Sequence, residues 1–581
     1  KLSRGGLRDF EALQAATIAV PSVAEYVADV RTNDAHDELL DVRVALQATT
    51  ARRGDRLILE EQDAVARRLG VADADELLRA IAGAARRISW ITDQVWSRIW
   101  SSFAKRANNV RKIEPGLAIR GKQLFLDGTI DPRRDDALAF RAAAASARTG
   151  FPLSATTLAK LEADARPSTE PWPDRTRDAL VDLLVCGHRA VPLLETLDHI
   201  GVLGRYIKEW SLVRSRPQRN VYHRFTVDRH LYEAAAGAAA FTRDVHRPDL
   251  LLIAALLHDI GKGLPGDHTD NGARLVPDIG RRIGLDETDV SLLTSLVRNH
   301  LLLAEVATRR DLGDPATIEG VAARVATIEQ LDLLEALTKA DSLATGPSSW
   351  TDWKANLINE LVVKTKGFLR GEADVTSALE LTDEQRALMR SGKLRVLVEG
   401  HKVSVAAPDR RGLLATVSGV LAARGLSVRA ATGVSEDGMA LEIYDVDVTG
   451  RSELDWTAIK SDVLRAFEDE EFLESKLRQR VRTQQAPRKV QAAPPVPPRV
   501  LFDNDSTPRA TIIEVRAPDG VGVLSKIARA LTERRCDIDV VRALTLGREV
   551  VDTFYVTRDH RKIEAPTELA RIEEGILSAL T

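Results

Sequence analysis

The sequence predicts a multidomain chain, helical from its start to about residue 390 and α+β beyond it. Three observations carry that prediction. An apolar run, Leu250–Leu257, ends abruptly in His258-Asp259-Ile260-Gly261-Lys262-Gly263; it is too short to span a bilayer and long enough for a buried helix. After Ser391-Gly392 the pattern turns to alternating apolar and polar residues, the mark of half-buried strands. The last third also repeats itself, Ala407-Pro408-Asp409 matching Ala517-Pro518-Asp519 at an offset of 110.

Composition sets the bounds. At 581 residues several domains are expected. The net charge of -3 gives no electrostatic case for nucleic acid or an anionic membrane. Two distant cysteines, Cys186 and Cys536, exclude a disulfide framework or cysteine metal cluster and fit a reducing cytoplasm. No segment reads as a signal peptide or membrane span. The chain opens on Lys1, as expected of a fragment with residues upstream.

Residues 1–145 read as a helical bundle; between Ala72 and Ile99 apolar residues such as Leu77, Ile81, Ala84, Ile88, Ile91 and Val95 recur at helical spacing. Gly5-Gly6-Leu7-Arg8-Asp9 is expected to be an exposed turn with Asp9 as a helix N-cap. A second helical segment, 146–219, takes Leu183, Leu184, Val185, Leu193, Leu194 and Leu197 as core, and Arg214–Arg219 (RSRPQR) marks entry to the next domain.

Eight of the 11 histidines fall between residues 188 and 300. His188, His199, His223 and His246 read as structural. Four others have telling settings: His230 opens a helix (229–242), His258-Asp259 ends the buried one, His268 precedes a helix (274–282), and His300 lies in an apolar helix (290–303). Asp341 closes a further helix (330–340). Buried helices seldom end in adjacent imidazole and carboxylate without a partner for them. Imidazole and carboxylate suit divalent Mn, Fe, Mg or Zn, and ligands from separate helices converging in a bundle core build such sites. Gly261 and Gly263 are expected to close the helix and bring Lys262 to the cavity mouth.

The repeat continues through Val417/Ile527, Leu421/Leu531, Val428/Ile538 and Tyr444/Phe554. Each copy reads strand (402–407, 511–516), Pro-Asp turn, helix, strand, strand, helix, a βαββαβ ferredoxin-like module. Gln484–Val500, with its APPVPPR, is a proline-rich connector. Gly412 and Gly522 let backbone approach at a helix N-terminus, where free N–H groups suit an amino-acid carboxylate. Asp409 or Asp519 would take its ammonium; a plain turn with Asp as N-cap is the alternative.

The set His230, His258-Asp259, Asp341, with LLHDIGKG around the dipeptide, resembles the HD superfamily of metal-dependent phosphohydrolases. The repeats resemble ACT domains, which bind small amino acids. With GGLRD (5–9), YHRFTVDRH (222–230) and VLVEGHKVSVAAPDRRGLL (396–414), the whole chain resembles the bifunctional uridylyltransferase/uridylyl-removing enzymes of PII proteins. The implied organisation is a helical subdomain following a nucleotidyltransferase core (1–145), a helical connector (146–219), an HD domain (220–375), a linker (376–400), ACT domain 1 (401–480), a Pro-rich linker (481–509) and ACT domain 2 (510–581).

That family's transferase site needs a Gly-Ser turn followed by a DxD pair, which is not found before the HD domain. Asp73-Ala74-Asp75 reads as an N-cap and Asp445-Val446-Asp447 lies in a strand, so transferase activity is expected to be absent or supplied by upstream residues. The resemblance implies a cytoplasmic enzyme that hydrolyses the nucleotidyl-tyrosine phosphodiester of modified PII, UMP or AMP, with glutamine as effector. His230, His258, Asp259 and Asp341 are the expected metal ligands, for manganese or magnesium first. His268 and His300 hold a second ion with Asp259 bridging, or contact phosphate. Lys262 stabilises developing charge or is a solvated surface lysine. The repeats pair with each other or across a homo-oligomer. Two other functions share these parts: hydrolysis of small nucleotides such as guanosine tetraphosphate, which domain order disfavours, and non-catalytic amino-acid sensing, which the complete ligand set disfavours.

Overall fold

The computed structural model describes residues 4–28, 30–103, 110–167, 169–218, 224–346, 349–372, 381–448, 454–484, 497–546 and 549–581. His223 and most of the proline-rich connector lie outside the described residues. The chain forms two compact units, one of residues 1–301 with 327–351 and one of residues 302–326 with 352–581.

In the first unit the long helix Ala74–Phe103 is the N-terminal spine. Its apolar stripe is buried at Leu77, Ala84, Ile88, Ile91, Val95 and Ile99, packing in three clusters against residues of the helices Leu7–Ala19, Val30–Thr50 and Leu59–Leu69 and of the stretch 21–27. It starts where Asp73 Oδ1 accepts the Glu76 N–H at 2.9 Å, so Asp73-Ala74-Asp75 is an N-cap. Three local expectations change. Gly5 is buried with φ +81°, and a side chain there would run into the Ala85 carbonyl. Asp9 is not the N-cap; it lies inside the helix Leu7–Ala19 and its carboxylate accepts the N–H groups of Gly5 and Gly6. Val185, expected in the core, is exposed because its helix ends at Leu184.

The all-helical expectation also fails at one place. Val110–Glu114, Leu117–Arg120 and Gln123–Leu126 form a three-stranded antiparallel sheet. Its two turns are set by Gly116 and Gly121, at φ +83° and +61°. Strands of four or five residues carry too little alternation to stand out from helical periodicity.

The metal-site region follows as helices Val227–Ala238, Pro248–Leu257, His268–Arg282, Glu287–Arg298 and Ile328–Thr345. Pro248–Leu257 is buried at every position from Leu250 onward, as its unbroken apolar run requires. The stretch 287–309 has the length and hydropathy of a membrane span, but it is two helices separated by the turn that carries His300.

The second unit is organised on one eight-stranded antiparallel sheet. Its strands run in the order Arg395–Glu399, Lys402–Pro408, Met439–Asp447, Ser427–Glu436, Asp537–Leu546, Glu549–Thr557, Thr511–Pro518, Arg499–Asp503. Ala431 pairs with Val541, its own counterpart at the repeat offset of 110. The two copies therefore meet about a local two-fold axis through that pair. Helices Leu413–Ala423 and Val523–Glu533 face each other on one side, and Ser525 Oγ donates to the carbonyl of its counterpart Ala415 at 2.6 Å. Each copy is ββαββα rather than βαββαβ: the outer strand precedes the repeat instead of ending it. In the first copy the cause is local, a two-residue hairpin at Gly400-His401 with Gly400 at φ +62°.

Candidate metal centre

His230, His258, Asp259 and Asp341 come from three helices and meet. The helix Pro248–Leu257 delivers His258 at its C-terminal cap and Asp259 just beyond, and Ile260–Gly263 then makes a tight 3₁₀ turn. That turn passes so close to the next helix that a Cβ on Gly261 would lie 2.1 Å from the His268 carbonyl oxygen. Only glycine fits. His230 sits in the first turn of Val227–Ala238. Asp341 lies one turn inside Ile328–Thr345 rather than at its end, and His268 is the first residue of its helix, capped by Asp267.

The ligand-type atoms converge. His230 Nε2 is 3.0 Å from Asp341 Oδ1 and 3.7 Å from Asp259 Oδ2. His258 Nε2 is 3.2 Å from His230 Nε2, 3.5 Å from Asp259 Oδ2 and 3.6 Å from Asp341 Oδ1. Ligand atoms each ~2.1 Å from one ion are themselves about 3.0–3.4 Å apart, so His230, His258 and Asp341 stand near that spacing and His258, Asp259 and His300 form a second such group. The other carboxylate oxygen, Asp259 Oδ1, faces His300 Nε2 at 3.5 Å and His268 Nε2 at 3.6 Å.

Proton placement supports the same use. His258 Nδ1 lies 3.0 Å from the Ala255 carbonyl and His300 Nδ1 lies 2.7 Å from that of Val297. A carbonyl can only accept, so each Nδ1 carries a proton, and Nε2 is the nitrogen turned to the carboxylates and left for a metal once its own proton is displaced. Burial opposes charge on His258, but Asp259 and Asp341 outweigh it and raise its pKa to about 10. Burial likewise opposes charge on the two carboxyls, yet Lys262 and His258 hold Asp259, and His230 and His258 hold Asp341, well below the usual carboxylate range. His268 is pushed down, mainly by burial. The pocket is anionic enough to hold a proton where a cation belongs. Buried imidazoles and carboxylates fit a divalent metal ion.

Lys262 is not a free surface lysine. Its Nζ lies 2.6 Å from Asp259 Oδ2 and donates to Gln218 Oε1 at 2.9 Å. Gln218 was not singled out in the sequence, where nothing in RSRPQR marks it. His188 is exposed beside Glu233, and His199 is remote from the centre, stacked on Trp90.

In the C-terminal repeats, Gly412 and Gly522 are helix N-caps at φ +90° and +74°. Positive φ demands glycine there. Asp409 and Asp519 are exposed and cap neither helix. Beside them lie two acids that the sequence reading passed over, Glu442 and Asp552, again at an offset of 110. Burial raises Glu442 to about 8 despite the Tyr444 hydroxyl and Leu414 N–H donating to it. Burial and then Asp519 raise Asp552 to about 7. An acid at the same place in two apolar strands, LEIYD and VDTFY, was the available signal.

This geometry defines an HD-type centre, and comparison with known proteins agrees. Residues 227–346 match the HD domain family, and residues 1–96 match the family described as GlnD PII-uridylyltransferase. The chain is 38% identical over its full length to the bifunctional uridylyltransferase/uridylyl-removing enzyme of Streptomyces coelicolor, spanning 77% of that protein. It is 34% identical over its full length to the enzyme of the same name from Mycobacterium tuberculosis, spanning 75% of it. The chain belongs to the bifunctional uridylyltransferase/uridylyl-removing enzyme family.

Proposed function

We propose that this chain removes the uridylyl group from modified PII proteins by metal-dependent hydrolysis, under the control of glutamine bound at its C-terminal repeats. The observation that carries the reading is the meeting of His230 and His258, in the interior, with each other and with Asp259 and Asp341, every His–His and His–Asp separation among them being 3.0–3.7 Å. The names of the relatives favour UMP over AMP.

His230, His258, Asp259 and Asp341 would hold a divalent ion, manganese or magnesium foremost. When bound it supplies charge against the phosphodiester oxygens and a water of lowered pKa. The chain's own groups do the rest. Asp259 presents one oxygen to His230 and His258 and the other to His268 and His300, so Asp259, His268 and His300 would be the residues to hold a second ion. Without a second ion, His268, partly exposed, is placed to donate to a phosphate oxygen. Lys262, held by Asp259 and Gln218, keeps a positive charge beside the phosphoryl group as negative charge builds. Water oxygen joins phosphorus and gives up a proton, the bond from phosphorus to the tyrosyl oxygen breaks, and the released phenolate takes up a proton to leave as tyrosine.

The repeats read as a pair of ACT domains, joined in one sheet about their shared axis. In each, the helix N-terminus at Gly412 or Gly522 suits the carboxylate of glutamine. Asp409 with Glu442, and Asp519 with Asp552, supply carboxyl groups for its ammonium. Control requires that glutamine bind one arrangement of the chain better than another.

Replacing Asp259 by Ala tests the centre. Release of UMP from uridylylated PII is expected to fall by more than about 100-fold, since even changes around a metal's ligands cost about 10- to 100-fold. An unchanged circular dichroism spectrum should accompany it. Full activity in Asp259→Ala would refute the assignment.

A further inference from the structure

The metal centre is braced from outside by the N-terminal spine, the helix Ala74–Phe103. Arg79 and Arg86 stand two turns apart on one face of it. Arg79 donates to the carbonyls of Ser211 and Arg214 at 2.6 and 3.1 Å. Arg86 donates to Ser215 Oγ at 3.2 Å and to the carboxylate of Asp228. Both arginines thus clamp the stretch 211–218, which precedes the helix Val227–Ala238 and its His230.

Asp228 is the junction. It is fully buried, and its Oδ2 also accepts the Ser215 N–H at 2.7 Å. Ser215 holds φ +55°, a left-handed conformation that a residue with a Cβ keeps only where its surroundings enforce it. The Val227 N–H donates to the Arg216 carbonyl at 2.9 Å, so the first turn of the helix is tied to this loop twice. Asp228 lies in that turn, two residues before His230. Further along the same stretch Gln218 holds Lys262, which meets Asp259. Two routes therefore run from the spine to the centre, one through Asp228 to His230 and one through the loop to Lys262. Asp198 and Glu195 also face Arg86, at 3.5 and 4.0 Å. Matched by these carboxylates, its planar fork supplies direction rather than net charge.

We propose that Arg86 is a positioning residue for the metal centre, acting through Asp228 to set the helical turn that carries His230. This role presupposes that His230, His258, Asp259 and Asp341 are the metal ligands. Groups that orient a metal's ligands are worth about 10- to 100-fold in affinity. Charge alone works the other way, since one cation fewer should draw a divalent ion more tightly. The sign of the change separates positioning from charge.

The test is calorimetric titration of manganese into the 581-residue chain, Arg86→Gln, Asp228→Asn and the variant carrying both, with folding checked by circular dichroism. Arg86→Gln is expected to raise the dissociation constant at least about tenfold. The double variant should bind no more weakly than the weaker single one, because both changes act at one junction. Arg86→Lys keeps the charge and gives up the fork; it should recover part of the affinity, and it replaces Arg86→Gln should that variant not fold. Unchanged or tighter binding in a folded Arg86 variant, or additive losses in the double variant, would overturn the proposal and leave the metal centre standing. No manganese binding by the unaltered chain would overturn the metal centre, and this role with it.

Discussion

His258 is buried, yet two carboxylates draw a proton onto it. With no metal bound, its pKa of about 10 lies above the ordinary 6.5, so the stabilisation from its charge is complete below about 6.5 and is lost as pH rises through about 10. A metal ion must displace that proton. Manganese affinity is therefore expected to rise with pH, by up to about tenfold per unit between about pH 7 and pH 9, and titration calorimetry in two buffers of different ionisation enthalpy would count the proton released. No pH dependence would mean that His258 is not a ligand. Gly261 gives a second residue-level expectation. Ala there would put a Cβ 2.1 Å from a backbone oxygen, so Gly261→Ala should cost at least about 2 kcal/mol in urea denaturation and weaken metal binding with it. Both residues were legible in the sequence, because an apolar run that ends in His-Asp-x-Gly leaves its polar groups needing partners. Gln218 was not, since a glutamine in a polar loop has no pattern to break.

At the scale of elements, the repeat was legible and its edges were not. The offset of 110 predicted two equivalent modules, and the strands Lys402–Pro408 and Thr511–Pro518 lie where their alternation placed them. The outer strands Arg395–Glu399 and Arg499–Asp503 fall in stretches read as linker, because an edge strand is half solvated and short. The sheet at Val110–Leu126 escaped for the same reason. The paired acids within the sheet carry a prediction. Glu442 and Asp552 have folded pKa values of about 8 and about 7, above their unfolded values of about 4.3 and 3.9. The folded chain thus binds more protons than the unfolded one in that window, and stability falls as pH rises from about 4 to 8. Glu442→Gln with Asp552→Asn should flatten the dependence of the urea midpoint on pH. An unchanged slope would show that neither acid is held protonated.

For the molecule as a whole, the chain has a buried centre suited to a metal in one unit and a two-fold pair of modules in the other. Family membership, already implied by the motifs of the sequence, joins these parts to uridylyl removal. Coupling between them is an energetic property, invisible in periodicity or motif. A direct measurement of the central claim is UMP release from uridylylated PII by this chain, with manganese added, with chelator, and with manganese plus glutamine. The account predicts release with manganese, none with chelator, and a rate changed by glutamine. Release that persists undiminished in chelator, or no release with any divalent metal, would contradict it.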